Sequence, residues 1–208
     1  MKLYYFEVLN PRKACAMARH LQSPVDFVLM NVEAGEHKTP QFLALNPNGK
    51  LPVLVDGETT LWESNAIMCH LAHKANSDLW PSDSATQIEV LRWLSWNAEH
   101  FTNYAGALYF EYYIKTRFDI GKPDQAVVDE ARDYVRKYGE VLDNHLAGRN
   151  YLLGDRLTVA DFATAITLPY AAIIHLPLEG FRNIERWHDR MNEMPAWREP
   201  FPALKAAA

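Results

Sequence analysis

The sequence predicts an α/β domain followed by an all-helical domain. Apolar runs of strand length occur only before Trp62, whereas the chain after residue 84 carries its apolar residues at helical spacing. Between the two patterns lies the polar, proline-containing stretch ANSDLWPSDS, which is typical of a linker. The predicted ranges are 1–76 for the α/β domain, 77–84 for the linker and 85–208 for the helical domain.

The α/β domain has the predicted element order β-α-β-α-β-β-α. Residues 2–9 form the first strand, and Asn10-Pro11 starts the first helix, because Asn is a good N-cap and Pro is favoured at the first helical position. Residues 25–32 form the second strand, which must run parallel to the first because a helix connects them. A short helix around Phe42 then leads to a turn cluster and to a pair of strands.

A hairpin over residues 52–61 completes the predicted sheet. Asp56-Gly57 is its turn signal, between two short apolar runs. Pro52 gives up a ladder hydrogen bond at the mouth of the hairpin. One explanation is an ordinary trans proline at a strand start. The other is a cis Leu51–Pro52 peptide, which would turn the backbone groups of Leu51 outward to pair with an extended peptide.

A helix over residues 63–74 follows, with Glu63-Ser64 at its N-terminus. If Ser64 is the N-cap, its hydroxyl and the following N–H groups can hold a carboxylate, and Glu63 can accept from an ammonium. A carboxylate site beside an ammonium site fits the head of an amino acid. The alternative is a plain N-cap next to a solvated Glu.

Helical periodicity defines the second domain. Thr158, followed three residues later by Asp161, is a capping box, and it fixes the start of a helix that is apolar on nearly all sides. Such a helix belongs at the centre of a domain. Helices are predicted over residues 85–117, 124–147, 158–175 and 182–193, with a short one near the end of the chain.

Composition narrows the functional classes. The formal net charge is -5 without a run of Lys or Arg, which makes nucleic acid a poor partner. The opening MKLYYFEVLN is a strand pattern rather than a signal peptide, and no apolar stretch approaches the roughly 20 residues of a membrane span. Cys15 and Cys69 fall in apolar helical patterns without metal-ligand spacing, so we expect reduced thiols, no metal and a cytoplasmic location.

Four features together resemble the cytosolic glutathione transferases. They are LNPNGKLPVL (45–54), ESNAI (63–67), GDRLTVAD (154–161) and the order of the two domains. The resemblance covers essentially the whole chain, with a stretch before Leu54 similar to the phi class and the opening MKLYY similar to the beta class, as in a bacterial type. It implies a thioredoxin-like first domain, glutathione as co-substrate, a homodimer and a role in detoxification.

The resemblance also implies a set of glutathione-binding residues. Pro52 would be the cis proline, with the backbone of Leu51 pairing with the cysteinyl part of glutathione. Glu63 and Ser64 would hold the γ-glutamyl end. The residues expected near the glycyl carboxylate are His37, Lys38 and Lys50.

The chain departs from the family where the thiol is activated. Phi-like enzymes place a Ser before the proline that starts the first helix, and beta-class enzymes place a Cys there, but this chain has Asn10. Three residues remain open as the thiolate stabiliser. Asn10 can donate through its amide or simply cap the helix, Tyr5 can donate its phenol or be a core aromatic, and Arg12 can supply positive charge.

A second, apolar pocket for a hydrophobic electrophile is predicted from helical spacing. Trp96, His100 and Tyr104 recur at i, i+4 and i+8, and Tyr112 lies further on. An aromatic stripe is also typical of an ordinary helix core. The predicted function is a glutathione transferase. The alternatives are a glutathione-dependent disulfide reductase or peroxidase, and a non-catalytic ligand-binding or assembly module with the same fold.

Overall fold

A four-stranded mixed sheet forms the centre of the first unit of the structure, a computed structural model that describes residues 1–203. The strand order is β2-β1-β3-β4; β1 pairs with β2 in parallel and with β3 antiparallel, and β3 and β4 form the predicted hairpin. The thioredoxin-like arrangement expected for the first domain is therefore present. The strands are β1 (Lys2–Tyr5), β2 (Asp26–Leu29), β3 (Val53–Asp56) and β4 (Thr59–Trp62).

The first two strands are shorter than predicted. The chain turns directly after β1, where the N–H of Val8 donates to the carbonyl of Phe6 at 2.8 Å, and a helix begins at Leu9. β2 pairs only along the four residues of β1, so it ends early as well. The helices of this unit, together with a 3-10 turn over Glu36–Lys38, are α1 (Leu9–His20), α2 (Pro40–Leu43) and α3 (Ser64–Lys74).

The second unit is helical, as predicted, but its long helices are interrupted. The predicted helix over 85–117 breaks at His100, whose φ of -120° and ψ of -86° are not helical. The predicted helix over 158–175 ends as α-helix at Thr164, because the following 3-10 segment contains Pro169, which has no N–H to donate. The elements are α4 (Ser84–Glu99), α5 (Phe101–Leu108), a π-helix (Tyr109–Ile114), α6 (Lys115–Arg117), α7 (Gln125–His145), α8 (Val159–Thr164), a 3-10 helix (Ala165–Tyr170) and α9 (Arg182–Asn192).

The predicted capping box is confirmed at the start of α8. The N–H of Thr158 donates to the Asp161 carboxylate at 2.9 Å, and the same buried carboxylate also accepts from the N–H of Leu152 and the indole of Trp187. The box therefore joins three segments of the helical unit.

The last described segment groups with the sheet unit rather than with the helices. The two compact units are Met1–Trp80 together with the chain from Met194, and Pro81–Glu193, whereas the sequence placed residues 85–208 in one helical domain. The physical reason is packing of α10 (Pro195–Arg198) on α1, where Trp197 is fully buried. Within residues 1–203, no helix combines the length and apolar character needed to cross a membrane.

Candidate functional site

A pocket of about 130 Å³ in the first unit collects most of the predicted glutathione-binding residues. Three segments line it: the first turn of α1, the loop before β3 and the start of α3. We call it the α1–α3 pocket, and its lining residues are Asn10, Asn46, Lys50, Leu51, Pro52, Glu63 and Ser64.

The loop before β3 is built around a side chain that sequence reasoning missed. The Leu51–Pro52 peptide is cis, which is the second of the two alternatives that the sequence left open. Asn46 is buried, donates from Nδ2 to the carbonyl of Lys50 at 2.7 Å and accepts the N–H of Asn48 at 3.0 Å. Asn46 thus holds the segment that presents Lys50 and Leu51 to the pocket. The turn cluster Asn-Pro-Asn-Gly was the available signal, since Asn side chains commonly bond nearby backbone groups.

The entry to α3 differs from the prediction. Glu63, not Ser64, occupies the N-cap position, and Ser64 is the first helical residue. Glu63 has φ 70° and ψ 111°, a conformation rarely adopted by a residue with a side chain, and it changes the chain direction at this corner. No side chain caps α3, so its first N–H groups and the positive end of its dipole remain suited to a carboxylate.

Asn10 is not an N-cap, which corrects the reading of Asn10-Pro11. α1 begins at Leu9 with Val8 as an extended N-cap, and the carbonyl of Val8 accepts the N–H of Arg12 at 3.1 Å. Asn10 therefore lies within the first turn. Its side chain is exposed, lines the α1–α3 pocket and makes no hydrogen bond within residues 1–203, so its amide N–H groups are available to a ligand.

Tyr5 lies apart from the α1–α3 pocket. It is 2% exposed, stacks on Phe201 with ring centroids 5.9 Å apart, and meets Phe27 edge-on at 6.1 Å. It lines a different cavity, beside β2. Burial, with the Cys15 thiol and Glu7 nearby, raises the pKa of Tyr5. Tyr5 is buried because side chains alternate along a strand, and Tyr5 and Leu3 lie on the buried face of β1. Of the two predicted roles, Tyr5 therefore fits that of a core aromatic.

Arg12 is committed to packing rather than to the pocket. Its guanidinium is buried, donates from Nη2 to the carbonyl of Trp197 at 2.6 Å and lies over the Trp197 ring at 5.5 Å. Its positive charge thus anchors α10 to α1. Arg12 and Trp197 are 185 residues apart in the sequence, so no local sequence pattern predicts this contact.

We expect Arg12→Met to lower the free energy of unfolding by about 2 kcal/mol, because it leaves a buried carbonyl without its charged donor. Urea unfolding followed by tryptophan fluorescence measures this. Arg19→Met is the matched control, since Arg19 also donates to tail carbonyls, those of Glu199 and Phe201, but is exposed. If Arg12→Met is as stable as wild type and its pH–rate profile is shifted, Arg12 stabilises the thiolate and not the packing of α10.

The residues predicted near the glycyl carboxylate divide into two groups. Lys50 lines the α1–α3 pocket, whereas His37 and Lys38 lie on the 3-10 turn. This turn approaches the pocket loop closely: the carbonyl of His37 is 3.2 Å from where a Cβ on Gly49 would stand, and Gly49 has φ +59°. Burial and the neighbouring Lys38 lower the pKa of His37, so its imidazole is neutral at pH 7.

The predicted aromatic stripe packs within the helical unit. The rings of Trp96 and His100 contact Tyr138 of α7, and Tyr104 stacks on Tyr134 at 4.2 Å. These three side chains lie together, as helical spacing predicts, but their partners are the rings of α7. Tyr112 is separate from them, in the π-helix, with its ring edge-on to His175. An electrophile pocket formed by these residues stays a prediction.

The two cysteines are unsuited to act as nucleophiles. Burial raises the pKa of Cys15 and brings that of Cys69 to about 12, so both remain thiols near neutral pH. Within residues 1–203, no group of His, Cys, Asp and Glu is arranged to hold a metal ion.

Two family models match the chain: the N-terminal domain of glutathione S-transferase over residues 1–73, and its C-terminal domain over residues 101–195. The chain is 36% identical to glutathione S-transferase 3 of Zea mays over 86% of this chain and 84% of that protein. It is 30% identical to glutathione S-transferase 1 of the same plant, over 100% of this chain and 99% of that protein.

Solved structures of glutathione S-transferases are also similar to this chain. The structure of glutathione S-transferase I bound with lactoylglutathione has a TM-score of 0.87 and 28% identity, over 96% of this chain and 97% of that one. Glutathione S-transferase III in its apo form has a TM-score of 0.82 and 33% identity, over 96% and 94%. These plant relatives agree with the phi-like features, and they give the expected bacterial type no support. The chain belongs to the glutathione S-transferase family.

Proposed function

We propose that this protein is a glutathione transferase that binds glutathione in the α1–α3 pocket and delivers its thiolate to a small hydrophobic electrophile. The observation that carries the proposal is the meeting, in one pocket, of the cis-proline loop, the uncapped start of α3 and the Asn10 amide. Each group fits a different part of an extended tripeptide with a free amino-acid head.

Binding uses groups that are already fixed by the fold. The N–H and C=O of Leu51, which lines the pocket, pair with the cysteinyl residue as an added strand would. Ser64 and the first N–H groups of α3 hold the γ-glutamyl carboxylate, while Glu63 accepts from the ammonium beside it. Lys50 supplies positive charge for the glycyl carboxylate, and His37 and Lys38 border the same loop.

Asn10 activates the thiol by donating a hydrogen bond to its anion. An ordinary thiol, with a pKa of about 8.5, is mostly protonated at neutral pH. A donor at the sulfur and the N-terminus of α1 both favour the thiolate, and the first turn of α1 carries no acidic residue to oppose them. The protein then contributes orientation and a lowered pKa, while the sulfur itself forms the new bond.

The remaining parts of the proposal are its partners. Family membership supports a small hydrophobic electrophile, a homodimer and a cytoplasmic location, whereas the contact of the electrophile with the aromatic stripe is proposed from helical spacing alone. Reduction of a disulfide or peroxide by the same thiolate stays the alternative reaction.

Calorimetric titration with reduced glutathione, in two buffers of different ionisation enthalpy, tests the proposal. We expect binding with proton release, because the bound thiol ionises. Binding without proton release would leave a site without thiol activation and favour a carrier. A protein that does not bind glutathione would overturn the proposal in favour of the non-catalytic module.

We expect Ser64→Ala to raise the dissociation constant for glutathione about tenfold, since it removes one hydrogen bond of about 1.5 kcal/mol to the ligand's charged carboxylate. The matched control is Ser84→Ala, because Ser84 is likewise the first residue of a helix but belongs to the helical unit. Both dissociation constants come from the same calorimetric titration. An unchanged value for folded Ser64→Ala would remove Ser64 from the site.

A further inference from the structure

Lys13 is a buried cation beside the α1–α3 pocket. It lies on α1 and is 4% exposed, and within residues 1–203 its ammonium makes one hydrogen bond, to Oδ1 of Asn65 at 3.1 Å. Taking an ammonium out of water is costly unless charge and hydrogen bonds compensate. Burial lowers the pKa of Lys13 to about 8, and the nearby Glu63 carboxylate opposes that fall.

The hydrogen-bond partner of Lys13, Asn65, lies at the start of α3, two residues after Glu63. Glu63 holds the left-handed backbone conformation at the corner, and Asn65 is the second residue of α3. A residue with a side chain keeps such a conformation only where its surroundings determine it strongly. Lys13 reaches this corner from α1, 52 residues earlier in the chain, and ties Asn65 by a charge-assisted bond.

Stability alone does not explain a lysine at this position. Its hydrogen bond to Asn65 offsets only part of the free energy that burying an ammonium costs. The Lys13 side chain is also not among the groups that line the pocket. The contact that links it to the pocket is the bond to Asn65, which follows Ser64 at the carboxylate-binding start of α3.

We propose that Lys13 is a positioning residue for glutathione recognition: by bonding Asn65, its ammonium fixes the corner that directs Glu63, Ser64 and the first N–H groups of α3 at the γ-glutamyl head. This inference rests on the proposed function. It assigns to α1 two separate tasks, thiol activation at Asn10 and alignment of the amino-acid head at Lys13.

The test compares Lys13→Met with wild type, using S-methylglutathione as the titrant, because its blocked thiol reports on head-group binding without thiol activation. We expect the dissociation constant to rise about fivefold, KM for glutathione to rise in step and kcat to stay within about twofold, since the lost interaction is one of uniform binding. Lys74→Met is the matched control: Lys74 lies at the other end of α3, exposed and paired with Asp56 at 2.5 Å.

A second variant removes the same bond from its other side. Asn65→Ala is expected to weaken binding similarly, and the double variant to be little worse than either single one, because the two residues share one interaction. Unchanged affinity in folded Lys13→Met, or a fall in kcat alone, would overturn the inference while the function stands. If Lys13→Met does not fold, Asn65→Ala decides on the same criterion. Wild-type protein that fails to bind S-methylglutathione would overturn the proposed function and this inference together.

Discussion

Asn10→Ala is expected to move the pH–rate profile of conjugation upward by about one to two pH units. A hydrogen bond to a charged group contributes about 1.5–3 kcal/mol, and a pKa unit corresponds to about 1.4 kcal/mol. Because Asn10 favours the thiolate over the thiol, removing its amide raises the thiol pKa. At a pH well below both pKa values, the thiolate fraction then falls about 10- to 100-fold.

The rate falls less than the thiolate fraction. A thiolate of higher pKa is more nucleophilic, with a Brønsted coefficient of about 0.4–0.5, so roughly half of the logarithmic loss returns. Well below both pKa values, the net decrease in kcat/KM is about 3- to 10-fold, and above the pKa of the variant the order reverses because the variant's thiolate is the more nucleophilic. The measurement is kcat/KM against pH with a chromogenic electrophile, supported by the thiolate absorbance of bound glutathione.

Two further substitutions separate donation from mere size. Asn10→Ser keeps a donor and restores the residue type that phi-like enzymes carry, so its profile should lie within about half a unit of wild type. Asn10→Asp keeps the shape but replaces the donor with a negative charge, and its profile should rise above that of Asn10→Ala. Superimposable profiles for all three variants would place thiol activation elsewhere.

Local signals predicted the parts of this structure that local chemistry determines. The Asp56-Gly57 hairpin and the capping box of Thr158 and Asp161 each depend on residues at most three apart, and both are present. The predicted start of α1, with Asn10 as its N-cap, was wrong because no local side-chain signal marks the true start. Its N-cap, Val8, satisfies the helix through its backbone carbonyl alone, whereas N-cap prediction relies on a side-chain acceptor.

Contacts between distant parts of the chain were beyond sequence reasoning. The Arg12–Trp197 and Lys13–Asn65 bonds join α1 to segments 185 and 52 residues away, and neither has a spacing signature. The same holds for Tyr5, whose stacking partner Phe201 comes near the end of the described chain. Sequence reasoning predicted most of the pocket-lining residues but not Asn46, and only the structure shows that Asn10 lines this pocket whereas Tyr5 and Arg12 do not.

Asp161→Ala is expected to lower the free energy of unfolding by about 4 kcal/mol. Asp161 is fully buried, and its two oxygens accept from the N–H of Leu152, the N–H and hydroxyl of Thr158 and the indole of Trp187, at 2.9–3.2 Å. Each of the four donors left without an acceptor costs about 1–3 kcal/mol, and the lower end of that range gives about 4 kcal/mol in all. Such a loss is a large share of the total for an ordinary domain.

The pH dependence and the controls make this expectation specific to the carboxyl group. Burial raises the pKa of Asp161 to about 6, although its four donors oppose the rise. Because the folded-state pKa exceeds the ordinary value, the added stability is complete below about pH 4 and decreases as pH rises through 6, so the difference between wild type and Asp161→Ala should shrink over that range. Urea unfolding of both proteins at pH 5 and pH 7.5 measures this difference. Two control variants test whether the carboxyl group itself matters. Asp161→Asn keeps one acceptor oxygen, so its loss of stability should be intermediate. Asp155→Ala removes an exposed carboxylate of the same loop, bonded to Asn150, and should change stability little. A loss below 1 kcal/mol in Asp161→Ala would mean that the helical unit does not depend on this junction.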